Sequence, residues 1–486
     1  MRRTGIAVFI VAVFAALSAQ AAPAPSARAV VAAAAKAMGA DGLNAVTMYG
    51  SGANYGLGQS PHAGGPWPRS NLSDYKRTVD FTQPATRATA VTWLGTVQGG
   101  PPARGDFNQL VTPANPAWAQ QLEIWTTPWG FLKGAARYDA VSTPRVVNGR
   151  PMQVVTWMTP QKSASGLSYK VVGYIGPQNL VERVDTWVEN PIFGDLRVER
   201  DYSDYRDADG VKFPMTIVET RDGQRTFEAQ LLGIVANPAN AAQLTAPPAG
   251  GPPAGPPPAA QAATAEKLAD GVWRIKGAYV TLAVEFADYI VLFEPGPQNE
   301  ARGQAVIAEV KRAIPGKPIR YGVISHHHFD HTSGLAADVA AGVTIVTPAV
   351  NKAFFERALN QPRTLAPDAI TRSGKRPVIE GFAGDKRVFQ DATRTFEIHV
   401  VKGLPHADGM VIGWLPKEKI AVFADLFTQP PAAAPVPDPP VVSTQVFLAN
   451  LERLKIEPER LISVHIPNPD RPATMQDIRA SLGRGR

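Results

Sequence analysis

The chain has 486 residues, enough for two or three domains at about 150 residues each, and its 44% hydrophobic and 19% charged residues exclude wholesale disorder. It contains no cysteine, which excludes disulfides, thiolate nucleophiles, Cys-ligated zinc and Cys-anchored lipids. The net charge of +7 is spread along the chain without a Lys/Arg block, so nucleic acid is not an expected partner.

At the start, Arg2 and Arg3 precede an apolar run from Ile6 to Leu17, and Ala19-Gln20-Ala21 follows. A basic n-region, a short apolar core and an A-x-A exit predict a signal peptide over residues 1–21 and a periplasmic or secreted location. The run is too short to span a bilayer, which needs about 20 residues, so no membrane span is expected in the mature chain.

Residues 22–245 are expected to form a β-rich domain. A helix is predicted from Ser26 to Met38, capped by Ser26 and ended by Gly39. Period-two alternation then predicts strands over Ser73–Phe81, Leu167–Ile175, Leu180–Val188, Val211–Thr220 and Arg225–Val235. Asp209-Gly210 and Asp222-Gly223 predict tight hairpin turns. The expected architecture is a large antiparallel sheet with one helix laid on it. That order of elements resembles the periplasmic lipoprotein-carrier type of half-barrel. Trp93, Trp118, Trp125, Trp129, Trp157 and Trp187 are candidates for an apolar groove, with core and sheet-face packing the favoured reading.

Residues 246–264, APPAGGPPAGPPPAAQAAT from Ala246 to Thr264, form a Pro/Ala/Gly linker that cannot build a core and favours extended polyproline II. Residues 265–486 form the last predicted domain, of α+β or α/β class. It is expected to open with a hairpin of Val280–Phe286 and Tyr289–Phe293. A helix over Asn299–Ala313 follows, then another from Pro348 to about Leu359, and strands over Thr395–Val401, Met410–Leu415 and Lys419–Ala424.

This last part concentrates the chemistry. Of eight histidines, four fall in the run Ser325-His326-His327-His328-Phe329-Asp330-His331. Val323-Ile324 reads as the end of a buried strand and Leu335 to Ala341 as a helix, so the run sits in a strand-to-helix loop, where α/β sheets place their sites. In extended chain His326 and His328 point to one side. The turn then lets Asp330 and His331 face a second point nearby, giving two metal half-sites.

The H-x-H-x-D-H run resembles that of the metallo-β-lactamase superfamily of metallo-hydrolases. Three later segments resemble that family's remaining ligand positions in order: His406 in Gly403-Leu404-Pro405-His406-Ala407-Asp408-Gly409, Asp425 at the end of Val422-Phe423-Ala424, and His465 after Leu461-Ile462-Ser463-Val464. The resemblance implies a four-layer αββα sandwich. It implies that His326, His328 and His406 bind one metal, that Asp330, His331 and His465 bind a second, and that Asp425 bridges them. Two zinc ions are expected, with iron or manganese able to use similar ligands. Such a pair lowers the pKa of a shared water toward ~7 and supplies hydroxide to a carbonyl or phosphoryl centre. Asp330 and Asp425 are the expected catalytic carboxylates, with Asp330 also orienting the nucleophile and passing a proton to the leaving group.

Among the other residues, Glu294 is expected to support the histidine loop, His327 to be supporting or surface, and His62 and His399 to be structural. Asp425 and the lack of cysteine point away from the lactamase subclasses and toward lactonase- or thioesterase-like chemistry. Ile466-Pro467 after the last ligand and Asp408 in the H-x-x-G turn depart from the family pattern. Gln429 to Pro440 is read as a wall or lid over the metals or as a surface loop. The leading expectation is an exported binuclear zinc hydrolase of a small ester, lactone, lactam or thioester. Two others are a mononuclear iron oxygenase of the same superfamily and a periplasmic apolar-ligand binding protein with a recruited metal domain.

Overall fold

The computed structural model describes residues 25–94, 103–247, 262–430, 435–467 and 470–484. The expected signal peptide, most of the 246–264 linker and part of the Gln429–Pro440 segment lie outside these residues.

The predicted first helix forms over Ala27–Met38. Ser26 accepts a hydrogen bond from the Ala29 amide, and Gly39 ends the helix at φ 63° with its amide on the Ala35 and Lys36 carbonyls. The β-rich half is one antiparallel sheet of eleven strands. Four strands, Ala45–Tyr55, Arg69–Asp80, Ala85–Leu94 and Ala103–Val111, run outward in chain order on one side. The other seven run from Val141–Val147 at the far edge to Gln224–Ala236, which returns to pair with Ala45–Tyr55. Both Asp-Gly turns take the left-handed conformation at both residues, with φ of 51° and 82° at Asp209-Gly210 and 50° and 74° at Asp222-Gly223. That conformation matches the twist of the strands they join.

The expectation of a single helix on this sheet is corrected. Helices Trp118–Trp125 and Pro128–Arg137 also pack on it, and a short helix covers Ala241–Leu244. Trp118, Trp125, Trp129 and Trp157 are buried with Phe131 in the core rather than lining a groove, whereas Trp93 is exposed and Trp187 sits under the Lys170 ammonium. Burying these large rings between helix and sheet repays the weak helix propensity of the segment.

The C-terminal part has two sheets. Seven strands in chain order run from Thr264–Ala269 to Ile379–Phe382, antiparallel up to Ile290–Phe293 and parallel from there. Five strands run from Lys386–Gln390 to Arg460–Ser463, the last parallel to Ile420–Phe423. Val284, Val291, Val323 and Val346 of the first sheet share a core with Phe396, Ile398, Val411 and Val422 of the second. The opposite face of the first sheet carries helix Glu300–Ala313, and that of the second carries Val442–Leu454 and Met475–Ser481.

The core of the β-rich half extends into the C-terminal part. Phe193, Leu196 and Trp67 of the β-rich half pack in one cluster with Ile324, Leu335, Phe354 and Phe355 of the C-terminal part. Arg357 pairs with Asp222, and Asp195 accepts hydrogen bonds from the Thr364 hydroxyl and the Thr364 and Leu365 amides. Among the described residues no helix is long and apolar enough to cross a membrane.

Candidate metal centre

Asp425 and His465 stand just beyond strand ends, and the other candidate ligands lie in the connections that follow strands. Strand Ile319–Val323 runs through Ser325 into the histidine loop, and His328, extended at φ −64° and ψ 149°, precedes the short helix Phe329–Thr332. Asp425 follows strand Ile420–Phe423 in a left-handed conformation, φ 51°. His465 follows strand Arg460–Ser463 and bridges to Tyr279. His406 lies in the turn ahead of Val411–Leu415.

The seven side chains meet in two groups, His326, His328, His406 and Asp425 in one and Asp330, His331 and His465 in the other, with ligand-capable atoms within 4.8 Å of one another in each. Asp425 also reaches both groups. Its Oδ2 lies 3.1 Å from His326 Nε2, 3.3 Å from His406 Nε2 and 3.0 Å from His331 Nε2, and its Oδ1 lies 2.6 Å from His465 Nε2.

Among the described residues the buried nitrogens His326 Nε2, His328 Nδ1, His331 Nε2, His406 Nδ1 and Nε2, and His465 Nε2 make no aligned hydrogen bond, although four of them approach Asp425. Leaving so many buried polar atoms unsatisfied is costly, about 1–3 kcal/mol for each. Imidazoles converging on carboxylates are a donor set that fits divalent cations. On three of the rings the other nitrogen is occupied, which fixes the orientation. Ser325 Oγ is 3.0 Å from His326 Nδ1, the Ser60 carbonyl accepts from His328 Nε2 at 3.0 Å, and Glu294 Oε1 is 2.8 Å from His331 Nδ1.

The charge states follow from the surroundings. Burial, reinforced by His331, pushes His326 well below the usual imidazole range. Burial with His406 and His327 nearby brings His328 to about 3. Both rings therefore keep a lone pair for a cation at neutral pH. Burial opposes ionisation of Asp425, but contacts with His326, His331, His406 and His465 outweigh it and hold the carboxyl far below the carboxylate range. Burial also works against a charged His331, yet Glu294, Asp330 and Asp425 raise it well above 6.5.

Glu294 is fully buried against His331, the supporting position expected for it. His327 is buried rather than at the surface, its Nε2 donating to the Ser60 carbonyl at 2.7 Å. His399 contacts Glu397 at 2.8 Å, away from the centre. Sequence reasoning missed three residues. Tyr279 donates its hydroxyl to Asp330 Oδ2 at 3.0 Å, and Gln59 donates to Asp330 Oδ1 at 3.0 Å. Ser60 supplies the carbonyl that serves His327 and His328. Gln59 and Ser60 sit in a loop without a motif, and a backbone carbonyl leaves no mark in a sequence. His62, expected to be structural, meets Asp408 at 2.7 Å with its side chain largely exposed.

No match was found among curated proteins. Among solved structures, a metallo-beta-lactamase from Pontibacter korlensis aligns at 18% identity and a TM-score of 0.33, covering 46% of this chain and 97% of that one. A metallo-beta-lactamase from Hirschia baltica aligns at 16% identity and a TM-score of 0.33, covering 46% and 99%. Rubredoxin oxygen:oxidoreductase from Desulfovibrio gigas aligns at 16% identity and a TM-score of 0.35, covering 45% and 61%. A family model described as the metallo-beta-lactamase superfamily matches residues 277–465, the span that holds six of the seven candidate ligands between its ends and His465 at its last position. Residues 277–465 thus carry a segment that matches the metallo-beta-lactamase superfamily.

Proposed function

We propose that the protein is an exported binuclear zinc hydrolase acting on a small ester, lactone, lactam or thioester. The observation that carries this reading is the position of Asp425, whose two oxygens face imidazole nitrogens of both ligand groups. A carboxylate so placed suits a bridge between two cations. His326, His328 and His406 would hold one, and Asp330, His331 and His465 the other. When bound, such cations supply Lewis acidity and an acidified water.

The chain's own residues do the rest. Glu294, Ser325 and the Ser60 carbonyl keep the free nitrogens turned inward. Asp330, partly exposed and steered by Gln59 and Tyr279, is placed to orient the attacking water and to carry a proton to the leaving group. The Tyr279 hydroxyl is a second donor at that edge.

The division that goes with this reading is a signal peptide over 1–21, a β-rich domain over 22–245, a linker over 246–264 and a four-layer αββα domain over 265–486. The separate cores on the two outer sheet faces support the layering.

Elemental analysis of the purified mature protein should find two zinc ions per chain. Nitrocefin, lactones, thioesters and phosphodiesters should then be screened for hydrolysis. Asp425→Ala and His328→Ala should lose turnover by more than the roughly 10–100-fold cost of disturbing a ligand's support, with circular dichroism unchanged. Wild-type rates in both variants would overturn the reading.

A further inference from the structure

The loop joining strands Ala45–Tyr55 and Arg69–Asp80 belongs to the β-rich half, yet it lies against the histidine loop residue by residue. The Gly58 carbonyl accepts from the Phe329 amide at 3.2 Å. The Gln59 amide group donates to Asp330. The Ser60 carbonyl accepts from His327 and His328. The Pro61 carbonyl accepts from the Asp408 amide at 2.8 Å, and His62 meets the Asp408 carboxylate.

The contact is also apolar. The Phe329 ring, between His328 and Asp330 in the motif, packs on Trp67 and Phe193 at centroid distances of 5.8 and 5.4 Å. Gly58, at φ 84°, lies so close beneath that ring that a Cβ would stand 2.3 Å from its Cγ. The loop is braced internally by Gly56 to Pro68 and by Ser60 Oγ to the His62 carbonyl.

We propose that residues 58–60 are positioning residues of the metal centre, so that the β-rich half completes the C-terminal site. The Ser60 carbonyl accepts a proton-bearing Nε2 from His328, which leaves Nδ1 as the only ring atom that can face a cation. Gln59 and Tyr279 each take one oxygen of Asp330 and set the plane of its carboxylate. Phe329, packed against Gly58, lies between His328 of one group and Asp330 of the other. The inference rests on the metal-centre reading above and adds that Gln59 and Ser60, outside residues 277–465, supply part of the ligand support.

Cobalt(II) titration of the metal-free full-length protein, followed by its visible d–d bands, tests this. Wild type should bind two ions. Gln59→Ala should weaken the ion held by Asp330, His331 and His465 by about 10–100-fold and alter its bands. Gly58→Ala should weaken binding and change the bands of the ion held by His326, His328 and His406. Asp222→Asn, which cuts the distant ion pair to Arg357 in the same interface, should titrate as wild type. Circular dichroism checks that each variant is folded, and Gln59→Leu repeats the test with bulk retained. If wild type binds two ions and both Gln59 variants match it in affinity and spectrum, the inference is overturned and the metal centre stands. If wild type binds no cobalt, the metal-centre reading itself fails, and the inference with it.

Discussion

Glu294 shows how a single residue can be committed to one task. It sits just past strand Ile290–Phe293 at φ 63°, a left-handed conformation that costs a non-glycine residue about 1–2 kcal/mol. It is fully buried, its amide bonds the Val323 carbonyl, and its own carbonyl accepts from the Thr281 hydroxyl. That backbone tether aims the carboxylate at His331 Nδ1. Glu294→Gln keeps the size and an acceptor but removes the charge. It should lower metal affinity by about 10–100-fold, read by competition with a chromogenic chelator, while leaving the far-ultraviolet dichroism unchanged. Wild-type affinity would show that the charge is idle. This support was read from the family resemblance, since Glu294 follows an apolar strand where that pattern often carries an acidic residue. The choice of ring nitrogen on His328 was not legible, because a main-chain oxygen 268 positions away decides it.

At the scale of elements, helix Pro128–Arg137 is one that sequence reasoning missed. Two glycines in a ten-residue helix, Gly130 and Gly134, cost about 1 kcal/mol each against alanine and argue for a loop. The structure gives each glycine a packing reason. A Cβ on Gly130 would lie 2.0 Å from the Ile124 carbonyl oxygen, and one on Gly134 would lie 2.4 Å from the Trp157 ring. Thr127 caps the start by accepting from the Gly130 amide at 3.1 Å, and Pro128 occupies the first turn. Gly134→Ala should therefore destabilise the protein by about 1–3 kcal/mol, since overpacking against Trp157 outweighs the gain in propensity. Urea unfolding followed by tryptophan fluorescence measures it, and a stabilised variant would show that the helix can shift to make room. The hairpins were easier to read because Asp-Gly turns act locally, whereas this helix packs on residues distant in sequence, Trp157 among them.

Over the whole molecule, a Pro-rich linker between two kinds of fold suggests independent bodies, but the described residues show a joint core with Phe193, Trp67, Phe354 and Phe355 in one cluster. Phe193 stacks edge-on to both Phe329 and Phe354. Arg363, buried on the C-terminal side, donates to the Pro191 and Ile192 carbonyls across the same boundary. Calorimetry of the full chain should accordingly show one cooperative transition, and two well-separated transitions would mean that this interface contributes little. The sequence could not reveal the joint core, since periodicity marks which face of an element is apolar but not which partner covers it. One more property follows from the way the large sheet closes on its own first strand. Asn44 and Asn237, 193 positions apart, are hydrogen-bonded to each other. The excursion between them leaves and rejoins the backbone at a single spot, so all eleven strands of the large sheet hang from one closure point.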